Sequence, residues 1–523
     1  MIFRSVHAEL PIPEIPLTEF VLQRANALGD KPALVEGTSG HVITYRQLSD
    51  SIRRAAVGLA RRGLRKGDVL AIYSPNLSEY AVAFHAVASL GGINTTVNPL
   101  YTADELAFQL GDAGAKYLLT VPQLLDKSLE AAGRSQVQEV FVIGQAEGVT
   151  SFDELLQAEG ELPEVKIDPH NDLVALPYSS GTTGLPKGVM LTHYNLVANL
   201  IQAEKLKLCT GDATSICVLP LFHIYGLSVI MNLGLYTGAT IVTMPRFDLE
   251  QFLRIVQDYQ VTLAPIVPPI ALALAKHPIV DNYDLSHLKA VFSGAAPLSA
   301  EVSRACAERL GCLIRQGYGM TETSPVTHAS PVEPDEIKPG SVGHCAPNTE
   351  CRVVDLESGT ELNSDQEGEI HVRGPQIMKG YLNRPEATAQ TITADGWLRT
   401  GDIGYADTDG HFYIVDRAKE LIKYKGFQVA PAELEAVLLT HPQVADAAVI
   451  PSPDEEAGEV PKAFVVCKTP ETIEIESLLN FVAERVAPHK KIREIEIIEQ
   501  IPKSASGKIL RRVLVERERE RKK

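Results

Sequence analysis

Residues 44–73 read TYRQLSDSIRRAAVGLARRGLRKGDVLAIY. Thr44 followed three residues later by Gln47 is the reciprocal capping pattern that starts a helix. Leu48, Ile52, Ala55, Ala56 and Leu59 then recur at helical spacing until Gly63 stops it. Val69-Leu-Ala-Ile-Tyr73 is an unbroken apolar run of strand length, as expected of a strand covered on both faces. The same unit follows at once: a helix from Ser78 to Leu90 ending at Gly91-Gly92, a third capped by Thr102 and Glu105, then a strand from Tyr117 to Val121. Helices alternating with buried strands predict βαβ units and parallel, doubly wound sheets. The alternation returns from Asn195 to about Leu313.

From Gly340 to Tyr413 the texture changes to short β-type runs between Gly and Asp turns, at Cys351–Val354, Gly368–Arg373 and His411–Val415, which predicts a small β-barrel or sheet. Beyond Arg417 the chain restarts as a compact α+β unit. A helix begins at Pro431, strands run over Val444–Ile450 and Ala463–Cys467, a helix over Ile475–Val486 and a strand over Ile495–Ile498. The expected fold is therefore α/β, with a large N-terminal domain over residues 1–417 and a small C-terminal domain over 418–523. At 523 residues the chain exceeds what one core serves.

A net charge of −17 argues against general affinity for nucleic acid or anionic membranes. Seven scattered cysteines without CxxC spacing give no zinc or disulfide framework and fit a reduced, cytoplasmic protein. Ala213 to Pro245 holds no Asp, Glu, Lys or Arg, but Pro220, His223, Gly226, Asn232, Gly234 and Gly238 punctuate it too heavily for a lipid-facing helix. Buried core plus a substrate pocket is the expectation there, with no stable membrane insertion. The terminal ERERERKK reads as a solvated helix end.

Chemistry concentrates in Tyr178-Ser-Ser-Gly-Thr-Thr-Gly-Leu-Pro-Lys-Gly-Val189. Hydroxyls and glycines closed by Lys187 suit a polyphosphate, since backbone N–H groups and hydroxyls donate while the lysine adds charge. It is not a Walker A loop, because Gly188 follows the lysine, and the chain has neither GxGxxG nor GxSxG.

Four further segments follow in order: Gln316-Gly-Tyr-Gly-Met-Thr-Glu322, Trp397-Leu-Arg-Thr-Gly-Asp402, Asp416-Arg417 with Lys423-Tyr-Lys-Gly-Phe-Gln428, and Pro502-Lys-Ser-Ala-Ser-Gly-Lys508. With them the chain resembles, over essentially its whole length, the adenylate-forming superfamily of acyl-CoA synthetases, luciferases and peptide-synthetase adenylation domains. Phe222-His-Ile-Tyr225, Ser293-Gly-Ala-Ala-Pro-Leu298, Arg373–Tyr381 and Lys419–Glu433 look closest to 4-coumarate–CoA ligases.

The resemblance implies ATP, Mg²⁺ and coenzyme A as cofactors and co-substrate. Ser179, Ser180, Gly181, Thr182, Thr183 and Lys187 would hold the β- and γ-phosphates, with Gln316, Gly317 and Thr321 around the rest of the nucleotide and Thr321 at the α-phosphate. Glu322 would be the Mg²⁺ ligand, Asp402 the ribose acceptor and Arg417 its assistant. Lys419 would mark the hinge of a mobile small domain, which brings Lys508 for adenylation with Gln428 in support, and Lys423 for the second step. Arg246, Lys425 and Gly426 would meet coenzyme A. The acyl pocket would draw on His223, Tyr225, Val229, Phe292, Gly294, Ala295, Gly317, Pro325 and Val326.

Amino-acid-activating relatives carry an aspartate just after the position of Phe222-His223; here Ile-Tyr-Gly-Leu-Ser-Val follows, so an ammonium would go unpaired. Tyr225 and a slot left by Gly294, Ala295 and Gly317 favour a cinnamate- or 4-coumarate-type aryl acid. Phe292, bulkier than the methionine common in plant enzymes, points to a shorter pocket end. A fatty-acyl-CoA synthetase is the alternative of the same chemistry. A non-catalytic adenylation-fold binding protein is the alternative of another class, opposed by Lys187, Glu322, Asp402 and Lys508; a luciferase-like oxygenase is more remote.

Overall fold

The structure is a computed structural model that describes residues 1–179, 186–425, 427–454, 457–468, 473–504 and 507–521. Thr44 and Gln47 form the expected reciprocal cap, with Gln47 N–H donating to Thr44 Oγ1 at 3.2 Å and Thr44 N–H to Gln47 Oε1 at 2.9 Å. The helix Tyr45–Arg61 buries Leu48, Ile52, Ala55, Ala56 and Leu59. Val69–Tyr73 is buried throughout and pairs in parallel with both Ile93–Val97 and Ala115–Thr120. Thr102 and Glu105 cap Ala103–Ala113 in the same way. The helix expected from Asn195 starts at His193, because Thr192 is its cap and Asn195 the third-residue partner, accepting from Thr192 N–H at 3.1 Å. An asparagine in that partner position resembles a cap when only the sequence is read.

Among the described residues, one nine-stranded sheet is built around Val69–Tyr73 and takes Lys187–Thr192 beside Leu173–Ala175. A second runs Leu313–Gly319, Ala290–Ser293, Leu263–Ile266, Thr214–Cys217, Thr240–Thr243 and Pro32–Glu36 in parallel, with antiparallel strands at both ends. The loops leaving the carboxyl ends of Thr214–Cys217, Ala290–Ser293 and Leu313–Gly319 converge, which is where open α/β sheets bind ligands. Of barrel or sheet, the small β unit is an antiparallel sheet, with Ile2–Arg4 and Phe412–Arg417 as its two ends. Its pairing sets Asp402 directly opposite Arg417.

The charge-free stretch around residue 230 is buried as expected. Tyr225–Asn232 winds as a π-helix, a form common at functional sites. Gly226 is required at its start, since a Cβ there would lie 2.2 Å from the Pro220 carbonyl oxygen. No helix among the described residues is long and apolar enough to cross a membrane.

From Ile422 onward the chain forms its own sheet, Phe427–Val429, Ile422–Tyr424, Gly458–Cys467 and Val444–Asp454, with Glu494–Ile497 parallel to Gly458–Cys467. Ile422, Leu434, Leu438, Val449, Val465 and Leu478 fill its separate core. The terminal helix Arg511–Arg521 is not simply a solvated end. Leu514 is buried, and Glu518, 1% exposed, pairs with the equally buried ammonium of Lys462, which also meets Glu496 at 2.9 Å. Alternating charge concealed this, because one glutamate in the run faces inward. Glu518→Gln is expected to destabilise the small domain by about 3 kcal/mol, the lower range for breaking a buried pair when a second carboxylate remains. Urea unfolding followed by circular dichroism measures it.

Candidate active site

Ser179 and Lys187 are cross-strand partners. The segment between them holds Ser180, Gly181, Thr182 and Thr183, which lie outside the described residues, as does Gly426. Ser179 Oγ and the Tyr381 phenol both donate to Glu322 Oε1, each at 2.9 Å, and Lys187 Nζ lies 4.4 Å from the Tyr381 ring centre. Glu322 is buried. Burial and the facing carboxylate push the Tyr381 phenol up, so it remains a donor. A hydroxyl, an ammonium and a buried carboxylate thus meet where the glycine-rich segment begins and ends.

Asp402 is buried, accepts from the Tyr318 phenol at 2.6 Å through Oδ2, and faces Arg417 Nε at 3.3 Å through Oδ1. Burial raises its carboxyl pKa, while Arg417 and Tyr318 pull it back.

Every acyl-pocket residue expected from the sequence (His223, Tyr225, Val229, Phe292, Gly294, Ala295, Gly317, Pro325 and Val326) lines one cavity, together with Thr321 and Lys508. His223 Nδ1 accepts from the Tyr225 N–H at 3.3 Å, so the neutral ring carries its hydrogen on Nε2. Burial, aided by the Lys508 charge, pushes its pKa down to about 3, which keeps it uncharged near neutrality.

Two details differ from the expected slot. Tyr225 donates its phenol hydrogen to the Phe292 carbonyl at 2.8 Å, leaving it only acceptor capacity. The glycines also make room for the protein's own rings. A Cβ on Gly317 would come within 2.5 Å of Phe292 Cζ, and one on Gly294 within 3.0 Å of Tyr225 Cε1. Phe292 therefore occupies space that sequence assigned to a ligand, which gives the short pocket end a physical cause.

Lys508 reaches this cavity from the small domain. Its N–H donates to Ser504 Oγ at 3.1 Å, and Gly507, at φ +78°, sits so close to Val267 that a Cβ would meet Val267 Cγ2 at 2.9 Å. Burial and then Arg417 lower the Lys508 pKa, while Asp402, Glu322 and Glu420 support its charge. Three residues on, Arg511 binds Glu420 at 2.5 Å and Glu435 at 2.7 Å.

Gln316 is buried behind the cavity, where its Oε1 accepts from Leu298 N–H at 3.3 Å. Arg246, Lys419, Lys423, Lys425 and Gln428 are exposed and do not line the cavity; Lys423 and Gln428 face each other across one hairpin.

The profile of the AMP-binding enzyme family matches residues 21–382, and that of the AMP-binding enzyme C-terminal domain matches residues 433–508. The chain belongs to the AMP-binding enzyme family. This AMP-binding enzyme is 46% identical to 4-coumarate–CoA ligase 1 of Solanum tuberosum over 98% of its own length and 96% of that protein, and equally identical to 4-coumarate–CoA ligase 2 of Petroselinum crispum with the same coverage. Among solved structures it resembles an anthranilate CoA ligase in complex with anthranoyl-AMP (TM-score 0.89, 27% identity, 97% of this chain and 98% of that one). It also resembles the o-succinylbenzoate CoA synthetase of Bacillus subtilis in complex with its acyl-adenylate intermediate (TM-score 0.82, 32% identity, 96% and 98%).

Tyr318, Tyr381 and Arg511 were not singled out from sequence. Tyr318 and Tyr381 lie inside quoted motifs, so a signal was present. What a sequence lacks is which carboxylate each phenol meets.

Proposed function

We propose that this enzyme is an AMP-forming acid–CoA ligase for aryl acids of the 4-coumarate or cinnamate type, with domains meeting at residues 417 and 418. The observation that carries this is an apolar cavity walled by Tyr225 and Phe292 whose lining includes the Lys508 ammonium.

A carboxylate is a poor acyl donor because its oxide leaves badly. Attack of the substrate carboxylate on the α-phosphorus of ATP expels pyrophosphate and gives a mixed anhydride whose leaving group is AMP. Lys508 and Thr321 stabilise charge growing at that phosphorus, while Lys187, Ser179 and the glycine-rich segment hold the departing phosphates. Asp402 accepts from the ribose hydroxyls, an orientation that Tyr318 and Arg417 fix. Glu322 fits Mg²⁺, since its carboxylate offers a hard oxygen beside the phosphate loop and two hydroxyls already order it; the ion would neutralise phosphate charge. In the second step the thiol of coenzyme A attacks the acyl carbon, with Arg246, Lys425 and Gly426 contacting its phosphates and Lys423 replacing Lys508 as the small domain turns.

Acid-dependent pyrophosphate release, with and without coenzyme A, tests this across aryl and fatty acids. Cinnamate or 4-coumarate should show a higher kcat/KM than octanoate or palmitate; preference for palmitate overturns the aryl assignment. Phe292→Ala should admit bulkier ring-methoxylated acids, each small group shifting selectivity by about 1–3 kcal/mol. In that background Gly317→Ala loses its 2.5 Å contact with Phe292 Cζ and keeps only one of 3.1 Å with the His328 carbonyl oxygen, so it should cost less than it does alone. Kinetics of both single variants and the double variant check the coupling.

A further inference from the structure

His328, Cys345 and Cys351 come from three neighbouring strands, and none is more than 1% exposed. One atom of each, the imidazole nitrogen and the two sulfurs, lies within 4.8 Å of the others. His328 Nε2 is 3.5 Å from Cys345 Sγ and 3.4 Å from Cys351 Sγ. A tetrahedral zinc ion with ordinary Zn–S and Zn–N bonds sets its sulfur and nitrogen ligands about 3.6 Å apart. The side chains already stand near the edges of such a tetrahedron.

The histidine is also oriented as a ligand. Its Nδ1 lies 3.0 Å from Thr327 Oγ1, whose own hydrogen is donated to the Tyr318 carbonyl at 3.1 Å. Nδ1 must therefore carry the hydrogen and donate to Thr327, which turns Nε2 to the sulfurs. Metal-bound histidines are held by this kind of outer hydrogen bond. Phe412 backs the ring at 4.4 Å between centres.

We propose that His328 Nε2, Cys345 Sγ and Cys351 Sγ form a binding site for one thiophilic divalent cation of the zinc or cadmium class, with the fourth position open to water. Two sulfurs and one nitrogen select borderline or soft ions over Mg²⁺, so this site differs in kind from the one at Glu322. Binding replaces two S–H bonds by two metal–sulfur bonds and releases two protons. The two thiolates cancel the dication, which makes a complex that the protein interior tolerates. His328 forms part of the acyl-cavity wall, and that cavity supplies the entry route. An ion here would staple Val326–Ala329, His344–Cys345 and Glu350–Val354 together beneath the cavity.

The full-length chain, reduced and freed of metal, is titrated with Co²⁺. One equivalent should bind with sulfur-to-cobalt charge-transfer absorption and intense tetrahedral ligand-field bands, and Zn²⁺ should bleach both. Cys345→Ser and Cys351→Ser should each weaken binding and lower the charge-transfer intensity per bound ion, and the double variant should abolish it, whereas Cys467→Ser, remote from the cluster, should keep it. Thr327→Val should weaken binding about 10–100-fold without changing the spectrum. Should a serine variant fail to fold by circular dichroism, the wild-type chain still decides: at urea concentrations that open the buried cluster and let both thiols react, Zn²⁺ must slow alkylation of Cys345 and Cys351, read by peptide mass spectrometry. Co²⁺ bound without charge transfer, or thiols alkylated equally with and without Zn²⁺, would show two thiols merely hydrogen-bonded to an imidazole and overturn the proposal.

Discussion

Lys508→Ala should lose pyrophosphate release by about 10²–10³-fold or more, the usual loss when one preorganised donor to a developing anion is removed. Given preformed acyl-adenylate, the same variant should make thioester at close to the wild-type rate, since the phosphorus chemistry is already complete. Lys425→Ala should behave in reverse, retaining adenylate formation and raising the KM for coenzyme A. Separate assays of the two half-reactions read this out. Global unfolding would harm both steps in both variants, so only a crossed pattern assigns the lysines to different steps. Loss of both steps by a folded Lys508→Ala would remove the two-pose assignment.

Asp402→Asn should act twice. An amide accepts hydrogen bonds more weakly than a carboxylate, and losing a charged acceptor costs about 1.5–3 kcal/mol; the KM for ATP should therefore rise about 10–100-fold. The second effect comes through Lys508, whose charge Asp402 supports against burial and Arg417. Without that carboxylate the lysine pKa falls further. Lys508 must be protonated to act, so activity present at low pH is lost as pH rises through its pKa. The alkaline limb of adenylation should accordingly move to lower pH in Asp402→Asn. A change in KM with an unmoved limb would separate Asp402 from Lys508.

How much was legible follows from what a periodic pattern encodes. The cap at Thr44–Gln47, the strand at Val69–Tyr73 and the helix starting at Pro431 are local, and their ends fall close to where sequence set them. That His223, Tyr225, Phe292 and Gly317 share one cavity was legible through motifs, each of which already sets neighbours along one loop. Phe292 resting over Gly317 was not, because a glycine in a sequence marks small volume without saying whose atoms use it. Glu518 turned inward from an alternating charge run for the same reason: its partner Lys462 is 56 residues away. The histidine and cysteine cluster has no fixed-spacing signature, since its members reach one point from separate strands.

Arg511 has a mechanical meaning. Its partners Glu420 and Glu435 follow Arg417 in the chain, as Lys508 does, so the turn of the small domain proposed above would carry this cluster and the lysine together. The loop carrying Lys508 is thus mounted on a stiff bracket. Lys508 lines the cavity three residues before Arg511, so these ion pairs anchor the chain just beyond it. Any slackening of that bracket would blur the aim of the ammonium, although Arg511 itself need touch no reacting atom.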